Sequence, residues 1–465
     1  MANGAGPPPG APVTKRVVLF IAILSSFLTP FTSSSINIAL PTIGQKLHLD
    51  AISLDWVATA YLLAAAACLV PFGRLADIRG RKRVFQIGIV VDAAASVLCA
   101  FAPSGGWLIA FRVLQGIGGA MIFGTSIAIL TSVYPPQERG RALGFTVASV
   151  YTGLATGPLI GGLVTHRFGW PGIFLLNAIL GVIISVVVFS RLRGEWAGAR
   201  GEKYDFPGAV LYGVAMVVLV YAFSVLPQLW GLALVAAALA GFAVFIWWEL
   251  RQPAPVLNVG LFRGNSVFAL SNLAAFINYS ATAAVTFLLS IYLQRLRGFS
   301  AEQAGLILMV QPVIMVICSP IAGGLSDRVE PRVVASIGMT LTTAGLAVLS
   351  FLSSQAGLAL VFVGLAVLGL GFGFFSSPNT NAVMGAVDRR FYGVASGTLG
   401  TMRLTGQAFS LGLVLLLFSL YIGREEITPA PFLQSMRTTF IISAVLCFGG
   451  IFASVYRGRA HRDSA

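Results

Sequence analysis

The chain of 465 residues is 57% hydrophobic and only 10% charged, with a mean hydropathy of +0.87. Soluble domains are about a quarter charged, so a soluble globular fold is excluded. Apolar runs of about 20 residues point to membrane-crossing helices, not to the alternating ten-residue strands of a membrane barrel.

The net charge of +14 then reads as cytoplasmic loop bias and attraction to anionic lipid headgroups, and no nucleic-acid partner is expected. Cys68, Cys99, Cys318 and Cys447 all fall inside apolar runs, so neither a disulfide nor a metal site is expected. The three histidines, His48, His166 and His461, lie outside the predicted spans. No His-Glu-x-x-His, paired carboxylate or Gly-x-x-x-x-Gly-Lys-Ser/Thr is present, which speaks against an intramembrane enzyme and an ATP-driven pump. No repeated filter sequence supports a channel, and no cofactor is expected.

Fourteen spans are predicted, at roughly 15–41, 55–76, 83–103, 107–134, 140–165, 170–190, 206–226, 229–249, 265–294, 302–326, 332–353, 357–384, 391–421 and 435–457. The first follows Lys15 and Arg16 but shows no small-residue cleavage site. It reads as helix one behind a disordered Pro/Gly tail of residues 1–14. Between the second and third spans lies Gly73-Arg-Leu-Ala-Asp77-Ile-Arg79-Gly80-Arg81-Lys-Arg83, with five basic residues in eleven. Such a cluster resists translocation and fixes this turn in the cytoplasm. Gly73 and Gly80 keep the turn tight and admit a neighbouring backbone. Asp77 can pair with Arg79 or Arg81, or with the start of another helix.

Further cations fall on the same side: Arg139, Arg141, Arg191 to Lys203, Arg251, Arg263, Arg328, Arg332, Arg389, Arg390 and the Arg457–Arg462 tail. The outer loops hold chiefly Lys46, Arg167, Arg295, Arg297 and Arg424. Both termini are therefore expected in the cytoplasm, and the protein in the inner membrane of a prokaryote.

Two ionisable groups stand inside apolar runs of the first half. Asp92 lies about 12 Å into a core of about 30 Å, counting from Val84 at about 1.5 Å per residue. Arg112 enters from the opposite face and lies about 7 Å deep, which leaves about 10 Å of depth between the two. A direct ion pair is marginal, so a water or a polar neighbour must bridge them. Desolvation favours a neutral acid over a carboxylate, which a reversible proton carrier needs. Asp92 is accordingly a candidate for proton coupling, with a plain helix contact as the alternative, and Arg112 must point inward to partners.

Span five holds Gly153-x-x-x-Gly157-Pro158-x-x-Gly161-Gly162. Its small residues let helices meet backbone to backbone, and Pro158 frees a carbonyl. An internal repeat follows. Gly323-Gly-Leu-Ser-Asp327-Arg ends the tenth span much as Gly73 to Ile78 ends the second, and Gly393 to Gly397 opens span thirteen much as Gly140 to Gly144 opens span five. The expected domains are a six-helix bundle over 1–194, an inserted helix pair over 195–254 and a second six-helix bundle over 255–465. A substrate site is expected between the bundles near the midplane. Its candidate lining is Asn37, Tyr61, Gln115, Tyr279, Arg403 and Gln407, with Phe31, Phe276, Phe374 and Phe375 as an aromatic contribution. Asn37, Gln115 and Gln407 could each equally be an interhelical hydrogen bond.

The Gly73–Arg83 loop resembles the loop between helices two and three of the major facilitator superfamily. Arg112-Val-Leu-Gln115-Gly-Ile-Gly118-Gly119, Thr401-Met-Arg403-Leu-Thr-Gly, Trp56-Val-Ala-Thr-Ala-Tyr61, Asn37-Ile-Ala-Leu-Pro41 and Asp205-Phe-Pro-Gly208 resemble its fourteen-span drug:proton antiporters. The resemblance implies an all-α membrane fold of two six-helix bundles plus an inserted pair. It implies a cytoplasmic gate at Gly73, Asp77, Arg79, Gly80 and Arg81, and a part in proton coupling for Arg112 beside Asp92. It also implies an antiporter motif at Gly153, Gly157, Pro158, Gly161 and Gly162, where ordinary glycine packing is the alternative.

The chain departs from the family in carrying Thr32 where an aspartate is common, and Thr59 and Gln311 or a neighbour where some drug exporters carry acids; by that match Thr32 and Gln311 join the candidate cavity lining. The expectation is a monomeric secondary transporter, not an enzyme, exporting amphipathic or hydrophobic small molecules in exchange for protons. A facilitator or proton symporter of a small organic anion is the alternative, because two buried arginines stand against one buried aspartate.

Overall fold

The computed structural model describes residues 15–226, 228–423 and 428–458. The expected tail of residues 1–14, Arg424 and the end of the basic C-terminal tail lie outside the described residues. Fourteen helices are long and apolar enough to cross a membrane. They are α1 (Lys15–Leu47), α2 (Ser53–Arg79), α3 (Arg81–Ala100), α4 (Gly105–Val133), α5 (Pro136–Phe168), α6 (Pro171–Arg191) and α7 (Phe206–Ser224). The rest are α8 (Leu229–Glu249), α9 (Ser266–Leu296), α10 (Ala301–Arg328), α11 (Pro331–Ser350), α12 (Leu358–Gly385), α13 (Arg389–Tyr421) and α14 (Pro429–Tyr456). No strand occurs among the described residues.

Helices α1–α6 and α9–α14 make two six-helix bundles, and α7 and α8 are the inserted pair. Glycine decides where helices of one bundle touch. A Cβ on Gly118 of α4 would lie 2.7 Å from the Asp92 backbone nitrogen, and one on Gly88 of α3 would lie 2.6 Å from the Met121 Cβ. Only hydrogen at these positions lets α3 and α4 approach so closely. In the second bundle Gly338 and Gly371 do the same for α11 and α12, with Cβ positions 2.5 Å from the Phe375 and Thr342 backbone nitrogens respectively.

The inserted pair docks on the seam between bundles. Tyr212 of α7 packs among Leu63, Ala66 and Val70 of α2, and its hydroxyl bonds the Thr401 hydroxyl of α13 at 2.7 Å. Asp205 fixes the pair's base. It accepts from the Gly208 N–H at 3.0 Å as the helix cap and from the Trp248 indole of α8 at 2.9 Å. Most of α8 faces outward, as a helix bathed in lipid does.

Two spans that read as continuous in the sequence are broken in the structure. In α9 the α-helix stops at Thr282 and restarts at Val285. Thr282 donates its hydroxyl back to the Asn278 carbonyl at 2.7 Å, a bond that bends helices, and the Ala284 N–H is taken by Ser410 of α13 at 3.1 Å. In α10 the break falls between Leu308 and Val310. Pro312 cannot donate to residue 308 and its ring crowds that carbonyl.

Candidate functional site

A cavity of about 170 Å³ lies between the bundles. The first bundle supplies Ser25, Ser26, Thr29 and Ser33 of α1, Tyr61 and Leu62 of α2, Phe123 and Ser126 of α4, and Leu154 of α5. Helix α13 supplies Gly400, Arg403, Leu404 and Gln407 from the other side. A smaller lobe of about 40 Å³ shares Ser26, Phe123, Ile127 and Arg403 and adds Tyr279, Phe375 and Asn379. Arg403 stands where the lobes meet. Its guanidinium sits 5.8 Å from the Phe123 ring centre and 5.5 Å from that of Tyr279, one aromatic from each bundle.

Of the sequence-predicted lining, Tyr61, Tyr279, Arg403 and Gln407 border this space, and Phe375 joins them. Asn37 does not. It is exposed, one helical turn beyond Ser33. Gln311 is buried in α10 but borders neither lobe. Phe31 is buried against α5, where a Cβ on Gly153 would touch it. Phe276 meets Phe409, with ring centres 5.9 Å apart. Neither those two nor Phe374 lines a lobe.

Thr32 and Gln115 are drawn instead into a buried polar chain behind the Tyr61 wall. Arg112 donates from Nε to the Val57 carbonyl at 2.8 Å and from Nη1 to Gln115 Oε1 at 2.5 Å. Gln115 donates to the Ser96 hydroxyl at 2.8 Å. Asn177 of α6 donates to that hydroxyl at 2.7 Å and to Asp92 Oδ2 at 2.9 Å, and Ser96 donates to the Asp92 carbonyl at 2.7 Å. Thr32 donates to the Asn177 side-chain amide oxygen, Oδ1.

Asp92 and Arg112 thus have no direct ion pair; Asn177, Ser96 and Gln115 bridge them. Every one of these side chains is buried. Arg112 also lies over the Tyr61 ring at 4.5 Å, so the chain ends on the cavity wall. Asn177 was not a candidate from sequence, although it is the one amide in the apolar run Pro171–Arg191.

At the basic end of the molecule, which charge bias assigns to the cytoplasm, two pseudo-symmetric latches join the bundles. Asp77 of α2 accepts from the backbone N–H groups of Gly393 and Val394 at 2.8 and 3.0 Å, where α13 begins. It also takes two bonds from Arg81, at 2.9 and 2.6 Å. Arg81 in turn donates to the Arg389 carbonyl and to Ser132, and lies over the Tyr392 ring at 5.2 Å. Arg79 takes no part; it is exposed.

The second latch is Asp327 of α10, which accepts from the N–H groups of Gly140 and Arg141 of α5 at 2.6 and 2.9 Å. Glycines make both possible. A Cβ on Gly73 would lie 2.3 Å from the Gly393 carbonyl oxygen, and one on Gly323 2.2 Å from that of Gly140. Helix N-termini supply the donors and the positive end of the dipole.

The linker before α7 reinforces the first latch. Glu195 accepts from the Lys82 and Arg83 N–H groups at 2.8 and 3.1 Å, and Gly80 beneath it needs its φ of 114°. The Ala199 N–H donates to the Asp77 carbonyl at 2.9 Å, and Arg74 pairs with Glu202 at 2.5 Å.

The Gly153–Gly162 stretch packs α5 on α1 inside the first bundle. Cβ atoms on Gly153, Gly157 and Gly161 would fall 2.7, 2.6 and 2.7 Å from the Phe27 carbonyl oxygen, Ser34 and Ser35, whereas Gly162 has slack. Pro158 frees the Leu154 carbonyl, and Ser34 donates to it at 3.0 Å. Ser35 donates to the Gly157 carbonyl at the same distance.

Two like bundles, latched at one end around a cavity near their common axis, are the architecture of a membrane transporter. A sequence profile of the Major Facilitator Superfamily matches residues 22–272 and 271–465, and the chain belongs to that superfamily. It is 29% identical over 449 residues to the riboflavin transporter RibZ of Clostridioides difficile, spanning 95% of this chain and 97% of that protein. It is 31% identical over 407 residues to the multidrug resistance protein Stp of Mycobacterium tuberculosis, spanning 86% and 75%. The solved structure of the human organic anion transporter MFSD10 superposes with a TM-score of 0.71 over 95% and 99% of the two chains. At 15% identity that likeness concerns the fold.

Proposed function

We propose that the protein is a proton-coupled exporter, taking amphipathic or hydrophobic small molecules from the cytoplasm in exchange for protons. The observation that carries this reading is the hydrogen-bonded chain from Asp92 to Arg112 and the Tyr61 wall of the cavity. As a carboxylate, Asp92 accepts the Asn177 amide hydrogen, and the chain holds Arg112 under Tyr61. As a neutral acid it gains a donor that the Asn177 amide oxygen can accept once the amide turns over, which withdraws the amide hydrogens from Asp92 and the Ser96 hydroxyl. That reorientation couples proton occupancy to the cavity wall.

A relative named for multidrug resistance, matched over most of both chains, supports export. So does the tight α1–α5 packing around Gly157. The bundles, 1–194 and 255–465, rock about the cavity as the latches open and close, and residues 195–254 travel as an attached pair. One copy of the chain suffices.

The test is efflux of preloaded ethidium, riboflavin and naphthalene-1-sulfonate from cells expressing the protein, with and without a protonophore. Efflux should require the proton gradient and should fall in Asp92→Asn, with the variant still reaching the membrane. Efflux indifferent to the protonophore, and normal in Asp92→Asn, would remove proton coupling and leave Asp92 a helix contact.

A further inference from the structure

The central cavity is lined by one charged side chain, and no carboxylate among the described residues balances it. Arg403 borders both lobes, and no Asp or Glu lines either. Among the described residues its guanidinium has no carboxylate partner. It is held by faces of aromatic rings, Phe123 and Tyr279, which orient the fork without consuming its N–H donors. Other arginines on the bundle axis are spent differently. Arg112 is tied into the Asp92 chain, and Arg81 is neutralised by Asp77.

A half-buried cation with free donors in an apolar enclosure is costly, and an anion that accepts from the fork relieves that cost. The walls around it are of two kinds. Leu62, Leu69 and Leu404 offer apolar surface, and the hydroxyls of Ser26 and Ser33 offer a few neutral polar contacts.

We propose that Arg403 is the recognition site for a substrate anion. On the exporter reading above, which this inference rests on, the transported class is an amphipathic anion: an apolar body with one sulfonate, carboxylate or similar group. The anion lies in the fork of Arg403 and the body lies against the α1–α2–α4 wall. A cationic amphiphile meets the same fork as a like charge with no acid to offset it, so the cavity discriminates against it.

The test uses three probes that share one apolar body: naphthalene-1-sulfonate, naphthalene-1-sulfonamide and trimethyl(1-naphthyl)ammonium. Uptake is measured in energised everted membrane vesicles carrying the wild type, Arg403→Gln, Arg403→Lys or no transporter. The wild type should take up the sulfonate well above the other two. Arg403→Gln should lose about tenfold or more of that uptake, as expected for a charge-assisted bidentate contact, and Arg403→Lys should keep part of it. Gel filtration in detergent checks that each variant is folded.

Comparable uptake of all three probes, or an unaffected Arg403→Gln, overturns the proposal while the exporter reading stands. A wild type that moves none of them fails the exporter reading for this body, and equilibrium binding to purified protein then decides. Sulfonate bound about tenfold tighter than sulfonamide, with the gap lost in Arg403→Gln, upholds the anion site. Equal binding overturns it.

Discussion

Gly73→Ala adds a single methyl group at the tightest point of the first latch. Its Cβ would stand 2.3 Å from the Gly393 carbonyl oxygen. Ordinary contact then requires α2 and α13 to separate by about 1 Å, because neither backbone can turn aside as a flexible side chain would. Such a shift stretches the 2.8 Å bond from the Gly393 N–H to Asp77 beyond hydrogen-bond range, and the 3.0 Å bond from Val394 with it. Each bond to a charged acceptor contributes about 1.5–3 kcal/mol, so the closed state loses about 3 kcal/mol even at the low end. That is a shift of roughly a hundredfold in the ratio of latched to unlatched molecules.

The readout is Ser396→Cys in a background without the four native cysteines. Ser396 is fully buried between the bundles and donates to the Phe123 carbonyl at 3.3 Å. A membrane-impermeant maleimide added to the basic face of everted vesicles should label it at least about tenfold faster when Gly73→Ala is present. An unchanged labelling rate in a folded, membrane-inserted Gly73→Ala variant refutes the latch: the glycine contact would then be packing without a gate.

The two latches should differ in their sensitivity to charge. Asp77→Asn loses the ion pair with Arg81 and sets an amide N–H against that of Val394, whereas Asp327→Asn loses no salt bridge. Transport should fall further in Asp77→Asn at equal membrane levels, and equal rates would show that the ion pair adds nothing. Asn177→Leu removes the partner of Asp92, Ser96 and Thr32 together. Unpaired buried polar groups cost about 1–3 kcal/mol each, so the detergent-solubilised variant should unfold several degrees lower and lose proton-driven efflux. Unaltered melting would mean that water replaces the amide.

The architecture was legible because a membrane simplifies sequence. Length and hydropathy mark each span, and arginine clusters mark the turns at one end, so fourteen helices and the repeat of Gly73–Asp77 in Gly323–Asp327 could be read directly. Depth along a helix was also legible. The estimate that Asp92 and Arg112 need a polar bridge follows from rise per residue alone, and the structure supplies Ser96, Gln115 and Asn177.

What a helix faces was not legible. Asn37 and Gln407 look alike as amides in apolar runs, yet one is exposed and the other lines the cavity, because neighbouring helices decide it. Helix breaks were hidden for a similar reason. The gap at Ala283 and Ala284 depends on Ser410, which is distant in sequence and arrives only with the fold. Asn177 did carry a signal, an unexplained amide in the most hydropathic span, but a single amide does not announce its partners.

One element links the chemistry to the gate. Helix α2 carries Tyr61 at the cavity wall and Asp77 in the latch, sixteen residues or about 24 Å apart. At one end Arg112 lies over the Tyr61 ring, and a Cβ on Gly119 would come 2.4 Å from the Tyr61 hydroxyl oxygen. The Tyr61 side chain is thus held on its inner side by α4, and it faces the cavity on the other. At the other end a separation of about 1 Å suffices to open the latch. Between them stands Pro71, which leaves the Ala67 carbonyl without its helical donor and makes this the place where α2 can bend. On the proposed proton coupling, a proton arriving at Asp92 turns the Asn177 amide, and Ser96, Gln115 and the seat of Arg112 under Tyr61 follow. That proposal needs no long pathway of side chains, because α2 itself joins the Tyr61 wall to the Asp77 latch, with Pro71 as the place where it bends.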